Sequence, residues 1–385
     1  MPHLMSLSGV KRTFRFALHM SAYDPKRTSL AFRFRPLPCY AWELLPSAVR
    51  AFWGATMRRR QFLGLLGGAV AVWPVVLRAQ QPAGPVIGFM NAGSSKGLGR
   101  LAVAFRQGLS ESGFVENQNI TIEYHWAEGH AEQLPAMAAD LVRRRVSVIA
   151  ATSTPAALAA KAATTTIPVV FETAGDPIAL GLVASLNRPS RNVTGITQLS
   201  SELVAKRLSL LHDLIPAAST VGFLVNPTDP RFVSQTKDMQ EAAKTFGVQI
   251  QVVNASTDGE LESAFAELSQ LRVGALMVGT GEFFNSRPEK IVGLAAREHI
   301  PAMYQYRRFA EVGGLISYGP HITDAYRQAG IYTARILKSE KPANLPVVRA
   351  TKFEMVINRK TAKTLGLTIP SGVLAIADEV IDEGS

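Results

Sequence analysis

From Pro85 onward, short runs of Val and Ile alternate with longer stretches in which apolar residues recur every three or four positions, the pattern of βαβ units with parallel strands. The periodicity predicts strands at Val86–Met90, Asn119–His125, Val146–Ala150, Val169–Glu172, Thr220–Val225, Gln249–Val253, Ala275–Val278 and Pro301–Tyr304. Helices are predicted between them. Leu98–Ser112 should stop at Gly113, and Glu132–Arg144 carries Leu134, Met137, Ala138, Leu141 and Val142 on one face. The layout then recurs. A helix over 231–246, Gly247, a strand from Gln249, a helix over 258–271 and a strand at Gly274 match the first series and suggest two similar α/β halves. In open parallel sheets a ligand sits beyond the carboxyl ends of the strands, so two such sheets predict a cleft where those ends face each other.

The predicted strand ends supply the candidate contacts. In the first half these are Asn91, then Thr152, Ser153 and Thr154, with Thr154 read as the cap of a helix that starts at Pro155. Free amides there suit a carboxylate. Asp176 before Pro177 reads as a second helix start and as a partner for a ligand ammonium. Thr197, Asn226, Glu282, Tyr304 and Tyr318 complete the candidate ligand set. Catalytic signatures are missing: there is no Gly-x-Ser-x-Gly elbow, no phosphate loop and no His-Glu-x-x-His, and Gly279-Thr280-Gly281 lacks the third glycine of a dinucleotide fingerprint. His125 and His130 lack further ligands at metal spacing, so neither metal nor cofactor is expected.

The charge changes meaning once the amino-terminal region is set apart. The whole chain has 41 Lys and Arg against 30 Asp and Glu, a net +11; residues 1–79 hold 12 of the basic residues and only Asp24 and Glu43, which leaves 29 against 28. A nucleic-acid partner therefore has no electrostatic support. Within that region Arg58-Arg59-Arg60 precede an uncharged run from Phe62 to Leu77, closed by Arg78-Ala79-Gln80. The run is short for a bilayer span and is broken by Gly64, Gly67, Gly68 and Pro74, so residues 57–79 are read as a twin-arginine-like signal peptide cleaved near Ala79, and periplasmic residence is expected. Met57 is the expected start, with residues 1–56 an upstream extension or arm. Cys39, the only cysteine, lies in that arm, so a lipid-bearing cysteine after the signal is not available.

An ordered series of motifs carries a family resemblance. Thr154-Pro155-Ala156-Ala157, Ile167-Pro168-Val169-Val170-Phe171, Asp176-Pro177, Gly181-Leu182-Val183-Ala184-Ser185-Leu186 and Asn192-Val193-Thr194-Gly195 are followed by Gly222-Phe223-Leu224-Val225-Asn226-Pro227, Gly313-Gly314-Leu315-Ile316-Ser317-Tyr318-Gly319, Leu345-Pro346-Val347 and Ile357-Asn358. Together they resemble ABC-transporter substrate-binding proteins related to those for tryptophan and other aromatic amino acids. The resemblance implies an α/β type I periplasmic-binding-protein fold: two Rossmann-like lobes, 85–194 with 319–345 and 195–318 with 346–385, joined by three crossovers near Thr194–Thr197, Tyr318–Gly319 and Pro346–Val348. It places a helix Thr323–Lys338 back on the first lobe. It further implies a monomeric, non-catalytic protein that binds a small amino-acid-like solute and delivers it to an ABC permease and its ATPase. An exported α/β enzyme and a sensory binding protein are the competing classes; an enzyme needs a base or nucleophile with an orienting partner.

Overall fold

The computed structural model describes residues 84–382, Ser190 excepted. The predicted signal peptide and upstream arm lie outside these residues. Two sheets organise the rest. The first contains β1 (Val86–Asn91), β2 (Thr121–Trp126), β3 (Val148–Ala151), β4 (Val169–Thr173), β5 (Val193–Thr197) and, much later in the chain, β11 (Val348–Arg349), in the order β11-β5-β4-β3-β1-β2. Every pairing in it is parallel. The second contains β6 (Thr220–Val225), β7 (Gln249–Asn254), β8 (Ala275–Val278), β9 (Ala302–Tyr304), β10 (Ile316–Pro320), β12 (Phe353–Asn358) and β13 (Glu379–Ile381), in the order β13-β12-β10-β9-β8-β6-β7. Only β12 runs against its neighbour β10.

Local chemistry accounts for these elements. β3 and β4 are buried along their whole length, as expected of central parallel strands covered on both faces, whereas edge strand β7 is largely open. Helix α1 (Ser95–Glu111) begins at Ser94, whose side chain accepts from the Gly97 amide, and the chain leaves it through Gly113 at φ +89°. Helices α2 (Leu134–Arg143) and α3 (Thr154–Ala163) complete the first βαβ series. In the second lobe the corresponding helices are α4 (Val204–Leu214), α5 (Phe232–Phe246) and α6 (Asp258–Gln270). Gly247 ends α5 in the left-handed region at φ +66°, and Thr257 caps α6 by accepting from the Glu260 amide. Short helices α7 (Glu282–Asn285) and α9 (Arg307–Glu311) flank α8 (Pro288–Arg297).

Helix α10 (Ile322–Leu337) follows β10 of the second sheet yet packs on α1 of the first lobe. Glycines let the two backbones approach: a Cβ on Gly108 would lie 1.9 Å from the Arg327 carbonyl oxygen, and one on Gly330 would lie 2.1 Å from that of Phe105. The carboxyl-terminal part adds α11 (Arg359–Thr364) and α12 (Ser371–Ala375) to the second lobe. The lobes are joined by a continuous apolar core, with Phe89, Phe105 and Tyr326 from the first and Leu224, Phe265 and Phe284 from the second.

The strands place the crossings later than the sequence reading did. A boundary between 194 and 195 would cut β5, which belongs whole to the first sheet, and β11, assigned from sequence to the second lobe, pairs with β5 in the first. The chain therefore crosses at Gln198–Leu199, at His321 and at Ala350–Lys352. These crossings are bundled: the Ala350 amide donates to the Thr197 carbonyl at 2.9 Å, and the His321 amide to that of Lys352 at 3.2 Å.

Candidate functional site

The carboxyl ends of β1, β3, β4 and β5 form one wall of a polar cluster between the lobes. Asn91 is fully buried, and its Nδ2 donates to the Thr152 carbonyl at 2.5 Å and to Thr152 Oγ1 and Tyr326 Oη at 3.0 Å. Its Oδ1 accepts from the Gly93 amide at 2.7 Å. Tyr326, brought from α10, donates in turn to the Thr152 carbonyl at 2.7 Å. Ser153, not Thr154, caps α3, accepting from the Ala156 amide at 3.3 Å and the Ala92 amide at 3.1 Å. The helix already includes Thr154, whose hydroxyl lies 2.6 Å from that of Thr173. This part of the wall is neutral and internally paired.

A charged segment begins at Glu172. It is buried, and its carboxylate accepts from Gln198 Nε2, while Gln198 Oε1 accepts from Tyr306 Oη of the second lobe at 2.9 Å. Burial, reinforced by the Glu282 carboxylate, pushes Glu172 up to about 8, against the opposing pull of Gln198 and Arg231. Glu282, at the start of α7, is pushed up to about 7 by burial, with Arg231 opposing and Asp229 adding to the rise. Arg231 is buried and held bidentately by Asp229, Nε to Oδ1 at 2.8 Å and Nη2 to Oδ2 at 2.7 Å. Burial works against its charge, but Asp229 outweighs that and keeps it protonated. The two lobes meet here: a Cβ on Gly175 would lie 3.1 Å from Arg231 Cδ, and one on Gly97 would lie 2.5 Å from the Ser286 carbonyl oxygen.

Several enclosed atoms in the second lobe have no hydrogen-bond partner among the described residues: Arg231 Nη1, Glu282 Oε2, Gln305 Oε1 and Ser317 Oγ. Gln305 is fully buried, and its Nε2 is already engaged by Asn285 Oδ1 at 2.6 Å. Buried polar groups are rarely left unpaired without a reason, and here the Arg231 guanidinium and the Glu282 carboxylate share one electrostatic cluster, to which Asn285 ties Gln305 by donating to Glu282 Oε1 at 3.4 Å. Such a set matches a small solute with an anionic end and a cationic end.

The other residues singled out from sequence are placed differently. No helix starts at Asp176; residues 177–181 form a turn, and Asp176 Oδ1 accepts from the Ile178 amide at 2.8 Å. Tyr304, the last residue of β9, stacks on Phe309 with centroids 4.8 Å apart, whereas the next residue, Gln305, turns to Asn285. Tyr318 is half-buried against Phe353. Asn226 closes its own turn, accepting from the Thr228 amide and hydroxyl at 2.9 Å each. Thr197 Oγ1 donates to the Gly175 carbonyl at 2.8 Å and braces the loop after β4. The candidate ligand set drawn from sequence lacks Glu172, Gln198, Asp229, Arg231, Gln305 and Tyr306. The available signal was chemical: Glu172 is a carboxylate in an otherwise apolar strand, and Asp229 and Arg231 follow directly on the Asn226-Pro227 turn.

Residues 94–381 match the family model described as ABC transporter substrate binding protein. The chain belongs to that family. Among curated relatives of this substrate-binding protein is a tyrosine-binding protein of Clostridioides difficile, 26% identical over 281 residues, covering 73% of this chain and 81% of the relative. Among solved structures, an ABC domain in complex with L-Trp from Streptococcus pneumonia is 27% identical, covers 78% of this chain and 100% of its own, and superposes with a TM-score of 0.69. The ligand-free, open structure of a substrate binding protein with adhesive properties from Clostridium difficile is 26% identical, covers 78% and 100%, and scores 0.56. The fold is that of type I periplasmic binding proteins, and the protein is a solute-binding member of an ABC transporter family. Among the described residues no helix is long and apolar enough to cross a membrane, and no group of three or more His, Cys, Asp or Glu stands at metal-binding distance.

Proposed function

We propose that this substrate-binding protein captures an aromatic α-amino acid between its lobes, without altering it, and presents the closed form to a membrane permease with its ATPase in the periplasm. The carrying observation is the set of enclosed, unpaired atoms of opposite polarity: Arg231 Nη1 for the ligand carboxylate, Glu282 Oε2 and Gln305 Oε1 for its ammonium. Tyrosine and tryptophan are the solutes named for the relatives above, and Tyr306 and Tyr326 border the cluster with buried rings. Asn91, Thr152 and Ser153 would then form the stiff wall against which the solute is held, not its charged contacts.

The test is calorimetric titration with L-tyrosine and L-tryptophan beside tyramine and 3-(4-hydroxyphenyl)propionate, each of which lacks one of the two charged ends. Saturable binding of an intact amino acid is expected, with both truncated compounds at least about tenfold weaker, the loss of about 1.4 kcal/mol that one charge-assisted hydrogen bond readily accounts for. Equal affinity for a truncated compound would remove the two-ended assignment. Recovery of a chemically converted ligand would favour an exported enzyme instead.

A further inference from the structure

Arg207, on α4, is buried to 2% exposure and makes no ion pair within the charged cluster, yet it touches the chain beside two of the three crossings. Its Nη1 donates to the Ser200 carbonyl at 3.0 Å and its Nη2 to Ser200 Oγ at 2.7 Å; Ser200 lies just beyond the first crossing. Its Nε donates to the Tyr318 carbonyl at 2.7 Å, on the strand that leads into the second crossing. Nη1 also reaches Thr280 Oγ1 at 3.4 Å, beside Glu282. These oxygens are neutral, and burial lowers the guanidinium to about 10, so it remains charged at neutral pH. A rigid fork with donors in fixed directions suits a clamp between two chain segments better than a flexible ammonium would.

The residue beside the clamp is strained. Leu199 sits at φ 47°, ψ 31°, a left-handed conformation that a γ-branched side chain seldom adopts outside tight turns. On its other side Gln198 links Glu172 to Tyr306 across the lobes. The strained peptide thus separates a segment pinned to the second lobe by Arg207 from a side chain that organises the cleft. Gly319 supports the same arrangement, since a Cβ there would lie 1.9 Å from the Gln305 carbonyl oxygen and 3.3 Å from Arg207 Nη2.

We propose that Arg207 is a positioning residue for lobe closure: it locks Ser200 and Tyr318 together on the second lobe, confines rotation at the first crossing to Gln198–Leu199, and so sets where Gln198 meets Glu172. The role concerns the hinge and holds whichever solute is bound. It is tested without ligand, by measuring the distance distribution between spin labels on Lys96 and Glu289, which line the same cleft from opposite lobes, in full-length protein carrying Cys39→Ser. Wild type should give one narrow distribution. Arg207→Met should shift part of the population to longer distances and broaden it, with Arg207→Lys intermediate. Leu199→Gly, which releases the left-handed strain while leaving Arg207 in place, should broaden the distribution without lowering the melting temperature. Should Arg207→Met fail to fold, Ser200→Ala, which removes one acceptor of the clamp, should still shift the population in the same direction. A folded Arg207→Met or Ser200→Ala protein with the wild-type distribution, or a Leu199→Gly protein indistinguishable from wild type, would overturn the proposal.

Discussion

The two lobes share one strand order, β2-β1-β3-β4-β5 in the first and β7-β6-β8-β9-β10 in the second, but they use the strand ends in opposite ways. At the first lobe's ends, neutral side chains satisfy one another: Asn91 with Thr152 and Tyr326, Thr154 with Thr173, Ser153 with two amides. Glu172 is the exception, and even it is held by Gln198. The second lobe instead presents enclosed valences that nothing among the described residues fills, on Arg231, Glu282, Gln305 and Ser317. Paired groups make a wall that keeps its shape before a ligand arrives, whereas unpaired groups gain most when one does. One lobe is organised to stay as it is and the other to be completed.

The sharpest way to break this comparison is at Arg231. Arg231→Met should weaken aromatic amino-acid binding by about 2–5 kcal/mol, the range for losing one side of a buried charge contact, while Asn91→Ala should act chiefly on the melting temperature. Calorimetry beside thermal melts separates the two, and an Arg231→Met protein that binds normally would erase the distinction between lobes.

Acidity gives a second, intermediate effect. Glu172 and Glu282 have folded-state values raised to about 8 and about 7, so between roughly pH 4.5 and these values the folded protein holds protons that the unfolded chain has released. Stability of the unliganded protein should therefore fall as pH rises through that window. Affinity for an ammonium-bearing solute should move the other way, rising as Glu282 ionises. Melting curves and titrations from pH 5 to pH 8.5 check both signs, and Glu282→Gln should flatten the affinity profile.

The smallest effect is expected at Asp176. Because its carboxylate caps its own turn, Asp176→Ala should cost about 1 kcal/mol of stability or less and leave affinity unchanged. A loss of binding larger than about tenfold, near 1.4 kcal/mol, would move the ammonium contact from the second lobe to the first.

Much of the fold was legible along the chain because it is written in local periodicity. Val86, Val169, Thr220 and Ala275 begin strands where the apolar runs begin, and Gly113 and Gly247 end helices where only glycine accommodates a positive φ without cost. Strands β5, β10 and β12 escaped that reading; Gly195 interrupts the first, and Gly319-Pro320 ends the second, and what stabilises them is pairing with distant segments. The ordered motifs likewise carried the family, and with it the two-lobed architecture. The charged half of the site was hidden for a different reason. That Glu172 and Glu282 sit in one electrostatic cluster, that Arg231 is held by Asp229 with one nitrogen spare, and that Tyr326 returns from the second lobe's exit to pair with Asn91 depend on contacts between segments far apart in the chain. Periodicity tells which face of an element is buried; which charges meet across a cleft, and which of them remain unpaired, is decided only when the lobes come together.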